Sequence, residues 1–413
     1  MGLLDFLTSG SPQDRFAREV MARIRARGWT GEIRHDPGSF SITLGADSIS
    51  LLNGFLERGK MSRARRAEAV DELATLALMS AEPPPATLGE VADKLLPVIR
   101  TRVHVGDMWL VRPAWEEVSR RRCHAPISDS LCAWAAVELG LGLRGVGDED
   151  LDRWGVGFDE VLAIAVDNLR ARSSPAKFEK DPRGFYTTRY RDHYDVSRLL
   201  LPDLLQTLPL NGDPVILAPE RDTLVVAGSE DSDALEAMGA QLESVLGTMK
   251  RLISMEALVH REGAWRRLGV TNASHALGRL AMLGADLNHE QQRRLMAHEF
   301  AEAGRDAYAA ELTLLDAEEG ATWSPIAFGK TALAPLADAY LLSSGEPGGA
   351  LVRARSDFEA ICGPFAREPD CWPERLIIDR APSADQWAQL RAAAIPEGFE
   401  ALQAQFTDGR KAR

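Results

Sequence analysis

Apolar positions change period most often between Phe185 and Leu268, and that stretch predicts the framework of the chain. Phe185 to Tyr194 is rich in aromatic and β-branched residues, which suit a half-buried strand. Asp195 stands where a helix N-cap would be, its carboxylate placed to accept from the Ser197 or Arg198 amide. Val196, Leu199, Leu200, Leu204 and Leu208 follow at helical spacing, and Pro202 marks a kink or a fresh start. Asn211-Gly212-Asp213 is turn chemistry. Two short apolar runs, Pro214 to Ala218 and Thr223 to Gly228, flank Pro219-Glu220-Arg221-Asp222 and read as a hairpin. From Leu235 to Leu252, apolar residues recur every three or four positions, which predicts an amphipathic helix of five to six turns. Ser254 to His260 and Ala264 to Leu268 form a second hairpin around Arg261-Glu262-Gly263. A sheet of this kind must be covered on one face, and the 231–252 helix is the cover, so the expected class is α+β, with mixed or antiparallel sheets under amphipathic helices.

Upstream, the pattern predicts a helix over Asp14 to Arg27, a hairpin over Trp29 to Leu44 turning at Pro37-Gly38, and a further strand over Ile49 to Asn53. A helix capped by Ser62 runs to Met79 and stops before Pro83-Pro84-Pro85. Leu88 to Leu96 reads as helix leading into a strand at Val98 to Val103. Further strands are expected at Met108 to Val111 and Leu131 to Glu138, and a helix at Asp159 to Ala171. After Leu268, two short helices, Asn272 to Ala285 and His289 to Ala303, are expected around Gly284 and Asn288. Strands follow at Ala309 to Leu315, Thr322 to Phe328, Ala339 to Leu342 and Arg375 to Asp379, with a turn at Glu318-Glu319-Gly320. A helical turn at Phe358 to Cys362 and a last helix at Ser383 to Ala394 complete the pattern. The expected organisation is one α+β domain over 1–270, a smaller one over 271–400, and a polar tail over 401–413.

Four stretches carry a resemblance: YDVSRLLL, then GDPVILAPERDTLVVAGSED, with LLPVIRTR (Leu95 to Arg102) and VLAIAVDNLRAR (Val161 to Arg172) upstream. Together they resemble the YtpQ-like family of uncharacterised bacterial proteins, over roughly residues 1–270. The resemblance supports the α+β reading. It brings no reaction and no catalytic residues.

Composition narrows the function classes more than it selects one. A net charge of −13 over 413 residues disfavours nonspecific binding to nucleic acid or to an anionic membrane. No stretch approaches the ~20 apolar residues that a membrane span needs. Four cysteines do not make a disulfide framework, which places the expected location in the cytoplasm.

Catalytic signatures are missing from the sequence: there is no phosphate-binding loop, dinucleotide fingerprint, zincin motif or nucleophile elbow. His289 and His298 lie nine residues apart, on opposite faces of a helix, and read as surface side chains. Cys123, His124 and Cys132, and again Cys362 and Cys371, lack the two-to-four-residue spacing of a zinc knuckle and read as packed thiols. No metal or cofactor is expected. The densest polar group is Asp192-His193-Tyr194-Asp195-x-Ser197-Arg198. As a triad it would use Ser197 as nucleophile, His193 as base and Asp192 or Asp195 as orienter. Strand alternation sends His193 away from Asp192, so a strand-to-helix junction, with Arg198 paired to a carboxylate, is the competing account. Asp192, His193, Asp195, Ser197 and Arg198, with Arg221 at the nearby hairpin tip, are the candidate ligand-binding residues. The leading expectation is a non-enzymatic protein that binds a protein partner or forms a homo-oligomer. The alternative is a small-ligand binder or hydrolase-like enzyme built on the Asp192–Arg198 junction.

Overall fold

The computed structural model describes residues 11–407, apart from 46, 52–54, 56–61, 104–122, 140–141, 250–251, 270–274, 303, 316–320, 344–348 and 369–370. Two sequence expectations, the Met108 to Val111 strand and the Glu318-Glu319-Gly320 turn, fall outside the described residues. The chain divides into two compact units, one from 1–96 and 135–168, the other from 97–134 and 169–413.

In the first unit, α1 (Pro12–Ala26) begins on a Ser11 capping box with Pro12 in its first turn. Strands β1 (Ile33–Asp36), β2 (Ser41–Leu44) and β3 (Asp47–Ser50) form an antiparallel meander. It is followed by α2 (Arg63–Ser80), whose Arg65 amide donates to the Ser62 hydroxyl. Phe16, Val20 and Ile24 of α1 pack with Ile42 and Leu44 of β2 and with Val70, Ala74 and Ala77 of α2. Asp71 of α2 ties the two helices, accepting from Arg23 at 2.6 Å and Arg27 at 2.7 Å. The expected helix at Leu88 to Leu96 is instead two 3-10 turns, Leu88–Glu90 and Ala92–Lys94, and the strand starts earlier, as β4 (Leu95–Thr101). After β5 (His124–Pro126) and β6 (Leu131–Leu139) come β7 (Gly142–Gly145), α3 (Asp148–Trp154) and α4 (Phe158–Arg172). Asn168 of α4 donates to the Ala92 and Leu95 carbonyls at 2.7 and 2.9 Å. The boundaries between the units fall within β4, β6 and α4, so β5 belongs to the second unit.

The second unit holds the framework expected from the 185–268 pattern. Its largest sheet is antiparallel and ordered β13-β12-β10-β11-β9-β8. The strands are β8 (Phe178–Lys180), β9 (Tyr186–Thr188), β10 (Pro214–Glu220), β11 (Thr223–Gly228), β12 (Leu258–Arg261) and β13 (Ala264–Arg267). The strand expected to reach Tyr194 stops at Thr188, because Arg191 and His193 take positive φ (56° and 68°), which strand pairing does not allow. A 3-10 turn over Val196–Leu200 follows, and Pro202 opens α5 (Pro202–Gln206) afresh. The covering helix is α6 (Ser232–Val245), capped by Asp231 and continued by one 3-10 turn over Leu246–Thr248. It is therefore shorter than the apolar spacing implied, and Leu252 lies beyond it and exposed. Leu235, Met238 and Leu242 of α6 pack on Val215, Leu217, Val225 and Ala227 of the sheet. The intervening Ile216 and Val226 are paired across the strands and fully buried on the other face. Burial on both sides explains why β10 reads as an unbroken apolar run rather than an alternation.

A single helix, α7 (His275–Glu302), replaces the two short helices expected. Its first turns place Leu277 and Leu280 in the core of the six-stranded sheet, and its last turns pack Met296 and Phe300 against Ala309 and Leu333. Gly284, expected to break it, instead lets it approach the chain at Met255, whose Cβ would lie 3.2 Å from a Cβ added there. Beyond it lie β14 (Ala307–Ala309), β15 (Thr313–Leu314), β16 (Thr322–Ala327), β17 (Thr331–Pro335), β18 (Ala339–Ser343) and β19 (Ala350–Ala354). They are followed by α8 (Arg355–Cys362), β20 (Ala366–Arg367), β21 (Arg375–Ile378), α9 (Ala384–Ala392) and α10 (Glu400–Thr407). These strands form two mixed sheets, β14-β17-β21-β20 and β15-β16-β18-β19, each with one parallel pair. The segment expected to trail off as a polar tail is helical through Thr407, where Leu402 packs with Phe399 and Val352. The class is α+β, as the pattern implied. Among the described residues no helix is long and apolar enough to cross a membrane.

Candidate functional site

The polar residues of the 189–200 junction are held mostly by one another. Asp195, fully buried, does not cap forward onto Ser197 or Arg198; its two oxygens accept from the Tyr190 and Arg191 amides behind it, both at 3.1 Å. That backward grip holds the loop in which Arg191 and His193 take positive φ. Arg198, with no exposed surface, donates to both oxygens of Asp192 at 3.0 and 2.7 Å and to Ser173 Oγ at 3.0 Å. Its guanidinium lies 3.4 Å from the centre of the Tyr190 ring. Burial raises the Asp192 carboxyl, but the hydrogen bonds and charge of Arg198 outweigh it and hold the group below its ordinary value. The Ser197 hydroxyl is 2% exposed and donates to the Pro97 carbonyl at 2.8 Å. His193 sits outside this lattice, its Nδ1 2.8 Å from Asp222 Oδ1 at the hairpin tip. Asp222 also lies 3.4 Å from Arg221, and the Arg221 carbonyl accepts from the Val196 amide. The six residues are therefore neighbours, yet His193 and Ser197 are not hydrogen-bonded and no Ser-His-Asp relay forms.

The second unit also holds a cleft of about 790 Å³. Its walls are Arg102 and the Asp129–Ser130 turn, the 254–256 segment with Arg267 of β13, one face of α7 from Ala281 to His289, Arg367 and Glu368, and Cys371 to Glu374. Rim charges are mostly paired. Arg267 lies 3.2 Å from Glu256, which also accepts from the Ser130 hydroxyl, and Arg367 pairs with Glu374.

The floor differs from the rim. Arg375, at the start of β21, is fully buried and has no carboxylate among its partners in the described residues. Its Nε donates to Gln292 Oε1 at 2.5 Å and its Nη1 to the Ala310 and Leu333 carbonyls at 2.7 and 2.9 Å. Its Nη2 lies 3.3 Å from the His289 carbonyl and 3.5 Å from His289 Nδ1. Burial lowers this guanidinium to about 10, which leaves it charged at neutral pH. His289 is only 9% exposed, and burial, helped by Arg375, lowers it to about 3. Cys371 Sγ accepts from Gln292 Nε2 at 2.9 Å and donates to the Pro373 carbonyl at 3.3 Å, while burial pushes the thiol up to about 12. A histidine this acidic is a poor base near neutrality, and a thiol this weakly acidic is a poor nucleophile.

His289 was expected at the surface; the unbroken helix puts it inside. Ala281, Ala285, His289, Gln292, Met296 and Phe300 step by 4, 4, 3, 4 and 4 residues, one continuous stripe. Breaking the pattern at Gly284 hid that stripe, and with it the two polar residues on it. The His298 side chain lies outside the described residues. All four cysteines are free thiols, and no group of three or more potential metal ligands occurs among the described residues.

No protein-family model matches the chain, and no solved structure matches it. A UPF0354 protein of Listeria innocua is 31% identical over 106 residues, and one of Listeria welshimeri is 26% identical over the same length. Each match takes in 25% of this chain and 40% of the relative, so the chain spans well under half the length of the curated relatives it matches. The similarity is to bacterial UPF0354 proteins, whose names assign neither reaction nor ligand.

Proposed function

We propose that the protein is a non-enzymatic binding protein, and that its ligand is a small polar molecule seated in the cleft of the second unit. The observation that carries this reading is the cleft itself: some 790 Å³, mixed polar and apolar walls, and a histidine and a thiol both held in unreactive states. Such a site has the concavity and convergent polar groups of a ligand pocket without a poised acid, base or nucleophile. The Asp192–Arg198 junction ranks below it, since Asp192, Asp195, Ser197 and Arg198 spend their hydrogen bonds on the fold. That none of the four cysteines is in a disulfide supports a cytoplasmic setting.

A thermal-unfolding screen against small molecules grouped by charge tests the reading. A ligand at a hundredfold its Kd stabilises the folded chain by about 2.7 kcal/mol. That shift is expected to vanish in Ala285→Trp, which fills the cleft, and to persist in His193→Ala and Arg221→Ala. Equal responses in Ala285→Trp and wild type, or loss in His193→Ala alone, would move the site away from the cleft. The same samples are weighed in solution. A homo-oligomer that Ala285→Trp dissociates would replace the small ligand with a second copy of the chain.

A further inference from the structure

We propose that the cleft recognises a carboxylate, with His289 Nε2–H as the donor that binds it and Arg375 as the positioning residue behind that donor. The inference rests on the cleft reading above and names the chemical class of its ligand.

A guanidinium can only donate. With Arg375 Nη2 facing His289 Nδ1, the lone pair must sit on Nδ1 and the proton on Nε2. Nδ1 is the ring nitrogen with a partner in the described contacts, and His289 lines the cleft while 9% exposed. The result is a nearly buried N–H donor of fixed tautomer at the cleft floor, awaiting an acceptor. Arg375 supplies the second half of the argument. It is fully buried and charged, and its partners among the described residues are an amide oxygen, three carbonyls and the imidazole, none of them anionic. Behind His289 there is therefore a positive charge with no carboxylate partner among the described residues, and an anionic oxygen accepting from Nε2 gains from it through the imidazole. One donor suits a singly charged carboxylate. A phosphate dianion asks for several donors converging on it. Of the rim arginines, Arg267 and Arg367 already hold Glu256 and Glu374, and Arg102 donates to the Asp129 carbonyl. Gln292 keeps the arrangement rigid, its amide oxygen on Arg375 and its amide nitrogen on Cys371 and the Pro373 carbonyl.

The probes are monocarboxylates from butyrate to phenylacetate, each with its amide, and inorganic phosphate, titrated into the full chain. Binding is read by Trp372 fluorescence and by the imidazole ¹⁵N resonances of histidine-labelled protein. The expected spectrum shows one histidine with Nε2 protonated and neutral down to pH 5, whose Nε2–H signal moves with carboxylate and not with amide. His289→Gln retains an amide donor near Nε2 and is expected to keep affinity within a few-fold. His289→Phe is expected to lose tenfold or more. Arg375→Lys is expected to mix the tautomers and weaken carboxylate binding while the chain remains folded. Equal affinity for acids and amides, phosphate bound in preference to carboxylate, or undiminished binding by His289→Phe would each overturn the assignment. If ligands from the thermal screen bind and are blocked by Ala285→Trp but ignore these variants, the carboxylate inference fails and the cleft stands. If Ala285→Trp blocks nothing, the cleft reading fails as well.

Discussion

Removing the Asp192 carboxylate should cost more than removing the arginine it holds. Arg198 has no exposed surface, and both its terminal nitrogens donate to Asp192, at 3.0 and 2.7 Å. In Asp192→Ala those donors face protein with no acceptor, and a buried cation left alone costs about 3–5 kcal/mol. The pair is not sealed, since the Asp192 side chain is 28% exposed, so water recovers part of that loss and about 3 kcal/mol is expected. In Arg198→Met the volume stays, Asp192 turns to solvent and still accepts from the Tyr194 amide, and the cost should be about 1–2 kcal/mol. The double variant should resemble Arg198→Met, because no stranded charge remains. Urea unfolding, monitored by circular dichroism with all four chains in one buffer, supplies the cycle. If Asp192→Ala proves the milder single change, or if the two losses simply add, then Asp192 does not hold Arg198 and the junction regains its claim as a functional site.

Other consequences are open to equally direct measurement. His289 titrates near 6.5 in the unfolded chain and near 3 when folded, so its neutral form favours folding above 6.5 and that contribution is lost as pH falls toward 3. The loss should reach about 2–3 kcal/mol by pH 4.5 and be missing in His289→Gln; parallel acid limbs in denaturant titrations of the two chains would refute it. Asp286, raised by burial and by Glu290 and Glu311, works in the opposite direction, which is why the comparison is between variant and wild type. Gly239→Ala should destabilise by about 1–3 kcal/mol although alanine favours helices by up to ~1 kcal/mol, because its Cβ would lie 2.8 Å from Ala276 Cβ and 3.0 Å from the Leu277 amide. A gain in denaturation midpoint would show that α6 and α7 are not pressed together there. Met238→Ala, in the layer between α6 and the sheet, should cost about 2–5 kcal/mol in the same assay, and a loss under 1 kcal/mol would argue against that packing.

The layer from Phe185 to Leu268 was legible because most elements there state their own period, although the first strand and α6 both end earlier than their apolar spacing implied. Asp231 caps α6, and Glu262 and Gly263, both at positive φ, make the tight turn between β12 and β13. Legibility failed where a local cue had two readings. Asp195 is a good acceptor whichever way it faces, and nothing in the sequence marks Arg191 and His193 as residues of positive φ, since neither is the glycine or asparagine that usually signals it. Gly284 could break a helix or admit a neighbour, and Met255, far away in sequence, decides for the second. Thr331–Pro335 and Ala350–Ala354 are alanine-rich strands with weak intrinsic preference; the first forms between β14 and β21, the second at a sheet edge against β18. The cleft was the least visible feature, because Arg375 opens an ordinary apolar strand and meets His289 only once the fold brings β21 to α7.

Among its described residues the second unit buries three arginines, and how each is satisfied separates architecture from function. Arg198 meets a carboxylate, so its charge is cancelled where it sits. Arg353 donates to the Leu390 and Arg391 carbonyls near the end of α9, to the Val352 carbonyl and to Gln403, where the negative end of a helix dipole supplies the compensation. Arg375 has neither a carboxylate nor a helix terminus among its partners in the described residues, yet it alone of the three touches a residue that lines the cleft. A charge kept inside at such cost, and left unbalanced on the side of a cavity, is balanced when something anionic enters. Arg198→Met and Arg353→Met should therefore change stability and leave ligand affinity untouched, whereas Arg375→Met should change both. Loss of carboxylate affinity of similar size in all three, measured on folded protein, would show the affinity to follow general stability and would remove Arg375 from the site.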